Sequence, residues 1–190
     1  MCGAFLVQDH VIPFLSAFGS TPKWKQEQFE FGDIYPSQQA IVIDRNLHQQ
    51  FETNLYSFGY PYPYQGKKKL IINARSETLK QKPLFRHALQ NHRAVVICSG
   101  FYEWDLFKQK IFFDQDQPFY LAALVIENSF VIITQEANES VLSIHPRMPV
   151  IFNAQQAKQW LCDESKIFDL LQQNNPMLNV HQAFQQISLF

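Results

Sequence analysis

Short apolar runs of the kind that form β-strands recur along this chain, and polar or proline-containing segments separate them. Runs of about four to eight residues rich in β-branched and aromatic side chains are typical of strands. We predict strands at residues 40–43, 70–72, 94–98, 106–113, 118–126, 130–134 and 149–152. The polar stretch Asp114-Gln115-Asp116-Gln117 lies between two of these strands and therefore predicts a hairpin turn.

Helical spacing of apolar residues is confined to a few segments. It predicts a helix over residues 83–92, a second over residues 154–161 with Asn153 as its N-cap, and a third over Ile167–Gln172. The alternating segment Tyr60–Tyr64 contains two prolines, which remove backbone donors, so it cannot be a regular helix or a central strand.

No linker divides the chain, and strands outnumber helices. We therefore predict a single α+β domain over residues 1–190, with a mixed, partly closed and barrel-like β-sheet that a few helices flank. The length of 190 residues allows a substantial core, and a hydrophobic content of 46% is too high for a disordered chain. The stretch after Asn174 gives no clear prediction.

The composition excludes several classes of protein. No apolar run is long enough to cross a bilayer, and the N-terminal segment lacks the positive charge of a signal peptide, so no membrane contact is expected. Cys2, Cys98 and Cys162 are too widely spaced for a disulfide framework or a zinc site, which indicates a reducing, cytoplasmic setting. A net charge of −1 does not by itself predict binding to nucleic acid.

Cys2 becomes the first residue if Met1 is removed, as is usual before a small side chain. An α-amine has a pKa of about 7.7–8.0, far below that of lysine, so a large fraction of it is neutral and nucleophilic at pH 7. Beside the thiol, this amine can form a Schiff base with an aldehyde and then a thiazolidine ring, or the thiol can attack an amide or ester. The alternative is an ordinary buried cysteine near the start of a strand.

Polar residues follow the apolar strand at residues 70–72, where a rigid scaffold often positions a site. Arg75 has the geometry to bind a phosphate through two hydrogen bonds. In the structural alternative, Asn73 forms a turn and Ser76 or Glu77 caps the following helix. That alternative is the better interpretation for Ser76 and Glu77.

Glu103 lies between two aromatic residues directly after the strand at residues 94–98. Loss of hydration in such surroundings raises the pKa of a carboxyl group and suits it to general acid–base chemistry. The alternating pattern favours instead a residue that faces solvent. The adjacent Trp104 belongs either to the core or to a surface on which a base stacks.

Prolines flank a second polar segment, in which His145 and Arg147 have restricted backbones. Histidine exchanges protons near neutral pH, although a lone loop histidine is usually only solvated. The remaining histidines lack the spacing of metal ligands, so we predict no metal and no other cofactor. Lys67-Lys68-Lys69 is most simply a solvated turn, with phosphate contact as the alternative.

These pieces together resemble one family, the SOS-response-associated peptidases, whose members are also called abasic-site processing proteins. The resemblance runs from Cys2 to about Phe152, and 83–86 is also similar to the family's sequence. Four motifs occur in the family's order: Cys2-Gly3, Asn73-Ala74-Arg75-Ser76-Glu77-Thr78, Gly100-Phe101-Tyr102-Glu103-Trp104 and His145-Pro146-Arg147-Met148-Pro149.

The resemblance implies binding of single-stranded DNA that contains an abasic site, whose ring-opened sugar exposes an aldehyde. Cys2 would then form a thiazolidine crosslink that shields the lesion, without a metal. Apart from the resemblance, we expect the protein to act as a monomer. Removal of Met1 would be autocatalytic or carried out by an aminopeptidase. By similarity, the catalytic residues would be Cys2, Asn73, Glu103 and His145. The DNA-binding residues would be Arg75, Arg86 and Arg147 on phosphates, with Trp104 stacking on a base.

Two positions depart from the family pattern. Family members usually have an arginine at the position of Ala4, and loss of this phosphate contact is expected to weaken DNA binding and its salt dependence. They usually have a Trp-Gly pair where this chain has Phe58-Gly59. Phe58 is expected to stack on a base with less area than a tryptophan.

Two other classes of function remain open from the sequence. The first is an amidotransferase with an N-terminal nucleophile, in which the thiol releases ammonia from glutamine. The chain shows no acceptor domain for it, and the three later motifs have no role in that reaction. The second is a non-catalytic binder of single-stranded nucleic acid that uses Phe58, Trp104 and the arginines.

Overall fold

The computed structural model describes residues 2–19, 21–22 and 28–182. Met1, and with it the predicted removal of this residue, lies outside them. The strands are β1 (Ala4–Val7), β2 (Thr21–Pro22), β3 (Gly32–Ile34), β4 (Gln39–Arg45), β5 (Phe51–Phe58), β6 (Tyr60–Tyr64), β7 (Lys67–Ile71), β8 (Asn73–Arg75), β9 (Arg93–Trp104), β10 (Lys110–Ile126), β11 (Ser129–Glu136), β12 (Arg147–Pro149), β13 (Ile151–Phe152) and β14 (Asn179–Gln182). The α-helices are α1 (Ile12–Leu15), α2 (Pro83–Asn91), α3 (Glu139–Leu142), α4 (Ala154–Cys162) and α5 (Ile167–Gln172).

Two long strands organise the main sheet. β9 and β10 pair antiparallel along most of their lengths, and the order β10-β11-β5-β4-β9 returns to β10, so these five strands form a ring of hydrogen-bonded pairs. Most pairs are antiparallel, but β11 pairs in parallel with both β5 and β8. The predicted α+β fold with a mixed sheet is confirmed.

The first nine residues of β9 are all buried, which means that both faces of this strand are covered. α4 contributes to this cover: the fully buried Trp160 donates from Nε1 to the carbonyl of Ala94 at 2.9 Å, and Nε of Arg93 donates to the carbonyl of Trp160 at 2.6 Å. Burial of an aromatic side chain of roughly 150–250 Å² stabilises by about 4–6 kcal/mol at most. The beginning of β9 is therefore firmly held.

The predicted hairpin at Asp114–Gln117 is wrong. β10 continues through this stretch, and the register against β9 shifts between Asp114 and Phe119, so the extra polar residues are accommodated in a bulge. The reversal between β9 and β10 lies instead at residues 105–109. There the carboxylate of Asp105 accepts hydrogen bonds from the backbone N–H groups of Phe107 and Gln109, both at 2.8 Å.

The other predicted elements agree more closely. α2 and α5 match the predicted helices, and Asn153 caps α4 in a capping box with Gln156. Among the described strands, β6 pairs only with β7, in a separate two-stranded sheet, in line with the exclusion of a central strand. Lys67-Lys68-Lys69 is exposed but lies in β7, so the predicted turn is wrong for these residues. None of the helices in the described part of the chain is long and apolar enough to cross a lipid bilayer.

Candidate active site

Strand pairing brings the four sequence motifs together at one end of β9. β1 pairs with the end of β9, with Ala4 opposite Tyr102, and this places the N-terminal Cys2 beside Glu103. β8 and β12 lie on the two sides of β11, where Arg75 and Pro149 are both paired with Thr134. The segments that carry Asn73 and His145 are therefore neighbours in space, although about 70 residues separate them in the chain.

Cys2 is fully buried and is held by Asn73, whose Nδ2 donates to the Cys2 carbonyl at 3.0 Å. The Cys2 thiol donates to the carbonyl of Ala4 at 3.7 Å. Burial raises the pKa of this thiol well above its usual value, and the nearby Glu103 carboxyl raises it further. The thiol is therefore protonated at neutral pH and needs a proton acceptor before it can react.

Asn73 lies in β8, so the alternative interpretation that it forms a turn is wrong. Its side chain uses the amide nitrogen on Cys2, while the buried Oδ1 has no hydrogen-bond partner among the residues that the structure describes. A buried amide oxygen without a partner is destabilising, so such a group is expected to have a ligand or a reacting group as its partner. Asn73 thus combines a fixed position with a spare acceptor next to Cys2.

Glu103 is 2% exposed, so the alternative of a solvent-facing residue is wrong. Burial raises the pKa of its carboxyl group, and the neighbouring His145 partly offsets the rise. Oε1 of Glu103 lies 4.0 Å from Nδ1 of His145. A raised pKa brings a carboxyl group closer to the neutral range in which a general acid–base catalyst gives and takes protons.

His145 is held by the backbone of Arg147. Its Nδ1 lies 3.0 Å from the backbone nitrogen and 2.9 Å from the backbone oxygen of Arg147. The imidazole tautomer decides which of these contacts is a hydrogen bond: an unprotonated Nδ1 accepts from the Arg147 N–H, whereas a protonated Nδ1 donates to the Arg147 oxygen.

Arg147 forms a bidentate ion pair with Glu77, with nitrogen–oxygen distances of 2.6 and 2.9 Å, and also donates to the carbonyl of Thr134 at 2.7 Å. The Arg147 guanidinium lowers the pKa of Glu77 through these hydrogen bonds. This pair joins the segment after β8 to β12 across β11. No side chain caps the short 3-10 helix Ser76–Thr78, so the interpretation of Ser76 or Glu77 as a cap is wrong. A phosphate that binds Arg147 has to compete with Glu77.

The remaining residues predicted to contact DNA differ in position. Arg75 is exposed on β8, and Trp104 is half-buried beside Glu103. Arg86 is exposed on α2, and this helix leads into the beginning of β9. Glu103 lies at the other end of β9. Phe58 is fully buried and stacks on Phe130 with ring centroids 5.3 Å apart. The prediction that Phe58 stacks on a base is therefore wrong for this structure.

Sequence reasoning missed a polar cluster next to Trp104. Lys110, which is opposite Trp104 in the β9–β10 register, pairs with Asp33 at 2.6 Å and lies 3.7 Å from the ring centre of Tyr102. Tyr102 donates to the other oxygen of Asp33 at 2.7 Å. Asp33 and Lys110 are 77 residues apart in the chain, and no sequence pattern connects them.

The described residues around Cys2 contain no candidate metal site, and a cavity found elsewhere in the fold does not include Cys2. The described residues contain no group of three or more histidine, cysteine, aspartate or glutamate side chains that could hold a metal ion. A cavity of about 580 Å³ lies along residues 28–34, 38 and 39 and includes none of the four predicted catalytic residues. The described side chains around the Cys2 thiol offer the amide of Asn73, the carboxyl group of Glu103 and, next to that carboxyl group, the imidazole of His145.

A buried cysteine at the second position, with an amide and a carboxyl group around it on an α+β scaffold, defines a candidate nucleophilic site. The sequence matches the family described as SOS response associated peptidase (SRAP) over residues 1–188. The chain belongs to this family, and the predicted family is confirmed.

Individual relatives agree with this assignment. The chain is 34% identical over 191 residues to the abasic site processing protein YobE of Bacillus subtilis, with 90% of this chain and 87% of the relative covered. It is 28% identical to YoaM of the same organism, also named an abasic site processing protein, with 90% and 84% covered. A crystal structure of a Bordetella bronchiseptica protein matches with a TM-score of 0.78 at 20% identity, covering 96% of this chain and 99% of that chain. This last likeness concerns the fold alone.

Proposed function

We propose that this protein processes abasic sites in the DNA damage response by forming a covalent thiazolidine crosslink between Cys2 and the ring-opened sugar in single-stranded DNA. The observation that carries the proposal is the arrangement around Cys2: Asn73 holds its carbonyl at 3.0 Å, and the buried Glu103 lies close enough to raise the pKa of its thiol. Membership of the SRAP family, whose relatives are named for abasic sites, supports the choice of substrate.

The α-amine of Cys2, free after removal of Met1, attacks the sugar aldehyde first. An α-amine has a pKa of about 7.7–8.0, whereas burial keeps the thiol protonated, so the amine is the available nucleophile at neutral pH. The resulting carbinolamine loses one water and becomes an imine. The sulfur then adds to the imine carbon while the imine nitrogen gains a proton, and the net release is one water.

Glu103 moves the protons of this sequence. Its raised pKa allows it to donate a proton to the departing hydroxyl group and afterwards to accept the proton of the thiol. Because Glu103 already influences the Cys2 thiol, one carboxyl group serves both steps. Reversal of the crosslink would use the same group in the opposite order.

Asn73 and His145 position the reacting groups. The free Oδ1 of Asn73 would accept a hydrogen bond from the Cys2 amine or from a sugar hydroxyl, which fixes the attacking atoms. His145 lies 4.0 Å from Glu103 and is partly exposed, so it is placed to exchange protons between the buried carboxyl group and the sugar oxygen or solvent.

The DNA strand would run past the exposed Arg75 and the half-buried Trp104. Arg75 offers a phosphate contact, and Trp104 offers a surface on which a base next to the lesion stacks. Met1 removal by the same site would give the peptidase activity of the family name. The Cys2 thiol would attack the Met1 carbonyl while Glu103 takes the thiol proton and passes it to the departing Cys2 amine, and water would then hydrolyse the thioester and release methionine.

The test uses protein whose N-terminus is confirmed by mass spectrometry and an oligonucleotide with one abasic site. A species that survives denaturing electrophoresis, with the mass of protein plus DNA minus one water, is the expected result. The same protein with an intact oligonucleotide is the control and should show only reversible binding. Equal reversible binding of both strands without any adduct would support the non-catalytic binder, and ammonia release from glutamine would support the amidotransferase.

A further inference from the structure

Two large apolar side chains are exposed side by side in the turn between β9 and β10. Leu106 is 96% exposed and Phe107 is 84% exposed. A single apolar side chain on a surface is ordinary, but two adjacent ones at the tip of a hairpin form a small apolar surface directed at solvent. We refer to these two residues as the β9–β10 tip.

The backbone of this tip is fixed. The Asp105 carboxylate accepts from the N–H groups of Phe107 and Gln109 at 2.8 Å each, and the Asp105 carbonyl accepts from Lys108 at 3.0 Å. Lys108 has a φ of 61°, the left-handed conformation that closes such turns. Because the backbone is already ordered, a ligand that contacts the tip has little chain entropy to remove.

The tip belongs to the same strand end as the candidate active site. Four residues of chain connect Glu103 with Phe107, which limits their Cα separation to about 14 Å. Trp104, the proposed stacking residue, lies between them, and the exposed Lys108 follows the tip with a positive charge.

We propose that the β9–β10 tip is a stacking surface for unpaired bases of the single-stranded DNA beside the lesion, an inference that rests on the proposed function. Phe107 presents a ring on which a base can stack without sequence preference, and Leu106 covers the edge of that base or its sugar. Lys108 is exposed and directly follows Phe107 in the chain, so its amine would contact the neighbouring phosphate. The tip would extend the DNA path from Trp104 by about one to two bases.

The size of the tip favours a nucleic acid over a protein as its ligand. A phenylalanine side chain offers roughly 150–250 Å² of surface, so two side chains fall well short of the ~800 Å² that each partner of a stable protein complex buries. The same area suffices to cover one or two bases.

The chain contains a matched control turn between β4 and β5. Its Asn46 side chain accepts from the N–H groups of His48 and Gln50 at 2.8 and 3.0 Å, and Gln49 has a φ of 63°. Leu47 in this turn is 97% exposed, much like Leu106. β4 pairs with the first half of β9, so the control turn lies at the far end of that strand, roughly 35–40 Å from the tip.

The experiment compares Phe107→Ala, the pair Leu106→Ala and Phe107→Ala, and Leu47→Ala. Dissociation constants for an intact single-stranded oligonucleotide are measured by fluorescence anisotropy, together with crosslinking rates on the abasic strand. We expect Phe107→Ala to weaken binding about 5- to 30-fold, the pair to weaken it further, and Leu47→Ala to leave it unchanged. Phe107→Trp is expected to bind as tightly as the wild type or more tightly. The slope of log affinity against log salt concentration should not change in the Phe107 variants, because no phosphate contact is lost.

Each outcome bears on one claim. Binding by Phe107→Ala equal to that by Leu47→Ala overturns the stacking role, even if the wild-type protein forms the crosslink. A weaker Phe107→Ala complex in a protein that never forms the crosslink supports the tip and contradicts the proposed chemistry. Thermal unfolding of all variants should match the wild type within about 2 °C, since the removed atoms are exposed. A large drop for Phe107→Ala would mean that the tip is a structural element instead.

Discussion

Replacing Glu77 with glutamine is expected to release the guanidinium of Arg147 for contact with a DNA phosphate. In the structure Glu77 occupies both terminal nitrogens of Arg147, at 2.6 and 2.9 Å. Arg147 also remains bound to the carbonyl of Thr134, so its side chain should keep its direction when Glu77 is lost. The substitution thus removes a competitor of the phosphate without removing the arginine.

The size of the effect follows from counterion release. Each phosphate contact on a single strand contributes about −0.7 to the slope of log affinity against log salt concentration. One additional contact therefore adds about 0.7 to the magnitude of this slope. When the salt concentration rises from about 50 to 200 mM, the affinity of Glu77→Gln for DNA should fall roughly 2.6-fold more than that of the wild-type protein. At the lower salt concentration, Glu77→Gln should bind DNA more tightly than the wild type.

The assay is fluorescence anisotropy with a single-stranded oligonucleotide at four salt concentrations. Glu136→Gln is the matched control, because Glu136 is exposed and lies directly opposite Arg147 in the β11–β12 pairing, and its loss changes the net charge by the same amount. If Glu77→Gln and Glu136→Gln give the same slope, Arg147 does not reach a phosphate. Glu77 and Arg147 would then have only the structural role of joining β8 to β12.

Three further substitutions test separate steps. Glu103→Gln should slow crosslink formation about 10²- to 10⁴-fold in a gel assay while binding stays within twofold. In the wild-type protein, the raised pKa of Glu103 lowers the free energy of unfolding as pH rises above about 4.3, because only the folded state keeps that proton. Glu103→Gln should reduce this loss of stability, and an unchanged pH dependence of thermal unfolding would contradict this. Cys2→Ala should give no adduct that survives heating, although borohydride should still trap an imine of the remaining α-amine, and a heat-stable adduct would exclude the thiazolidine. Arg75→Ala should weaken binding of intact and abasic strands equally and lower the magnitude of the salt slope by about 0.7; unchanged affinity across salt concentrations would exclude its phosphate contact.

The sequence predicted the strands that are rich in β-branched residues, but it misplaced the connection between the two longest. Asp114–Gln117 is polar enough for a turn, yet it lies in a bulge of β10. The true turn contains Leu106 and Phe107, and apolar side chains at such a tip have no local signal that distinguishes them from a strand. Bulges depend on the partner strand, which the local sequence does not specify.

The site shows the same division between local and long-range information. The sequence motifs indicated Cys2, Asn73, Glu103 and His145 as candidate site residues, and pairing with β9 and β11 brings them together. Burial decided the cases in which the pattern left two interpretations: Glu103 is 2% exposed and Phe58 is in the core. The ion pair of Arg147 with a glutamate 70 residues away follows from strand order alone and could not be predicted from either segment.

The central claim is that Cys2 is the residue that becomes linked to the abasic site. The most direct measurement is peptide mass spectrometry of the crosslinked product after digestion of protein and DNA. We predict a modified N-terminal peptide that begins at Cys2, lacks Met1 and carries the sugar remnant on both nitrogen and sulfur, so that its thiol no longer reacts with iodoacetamide. A remnant on a lysine, or no modification in protein confirmed to begin at Cys2, would contradict the account.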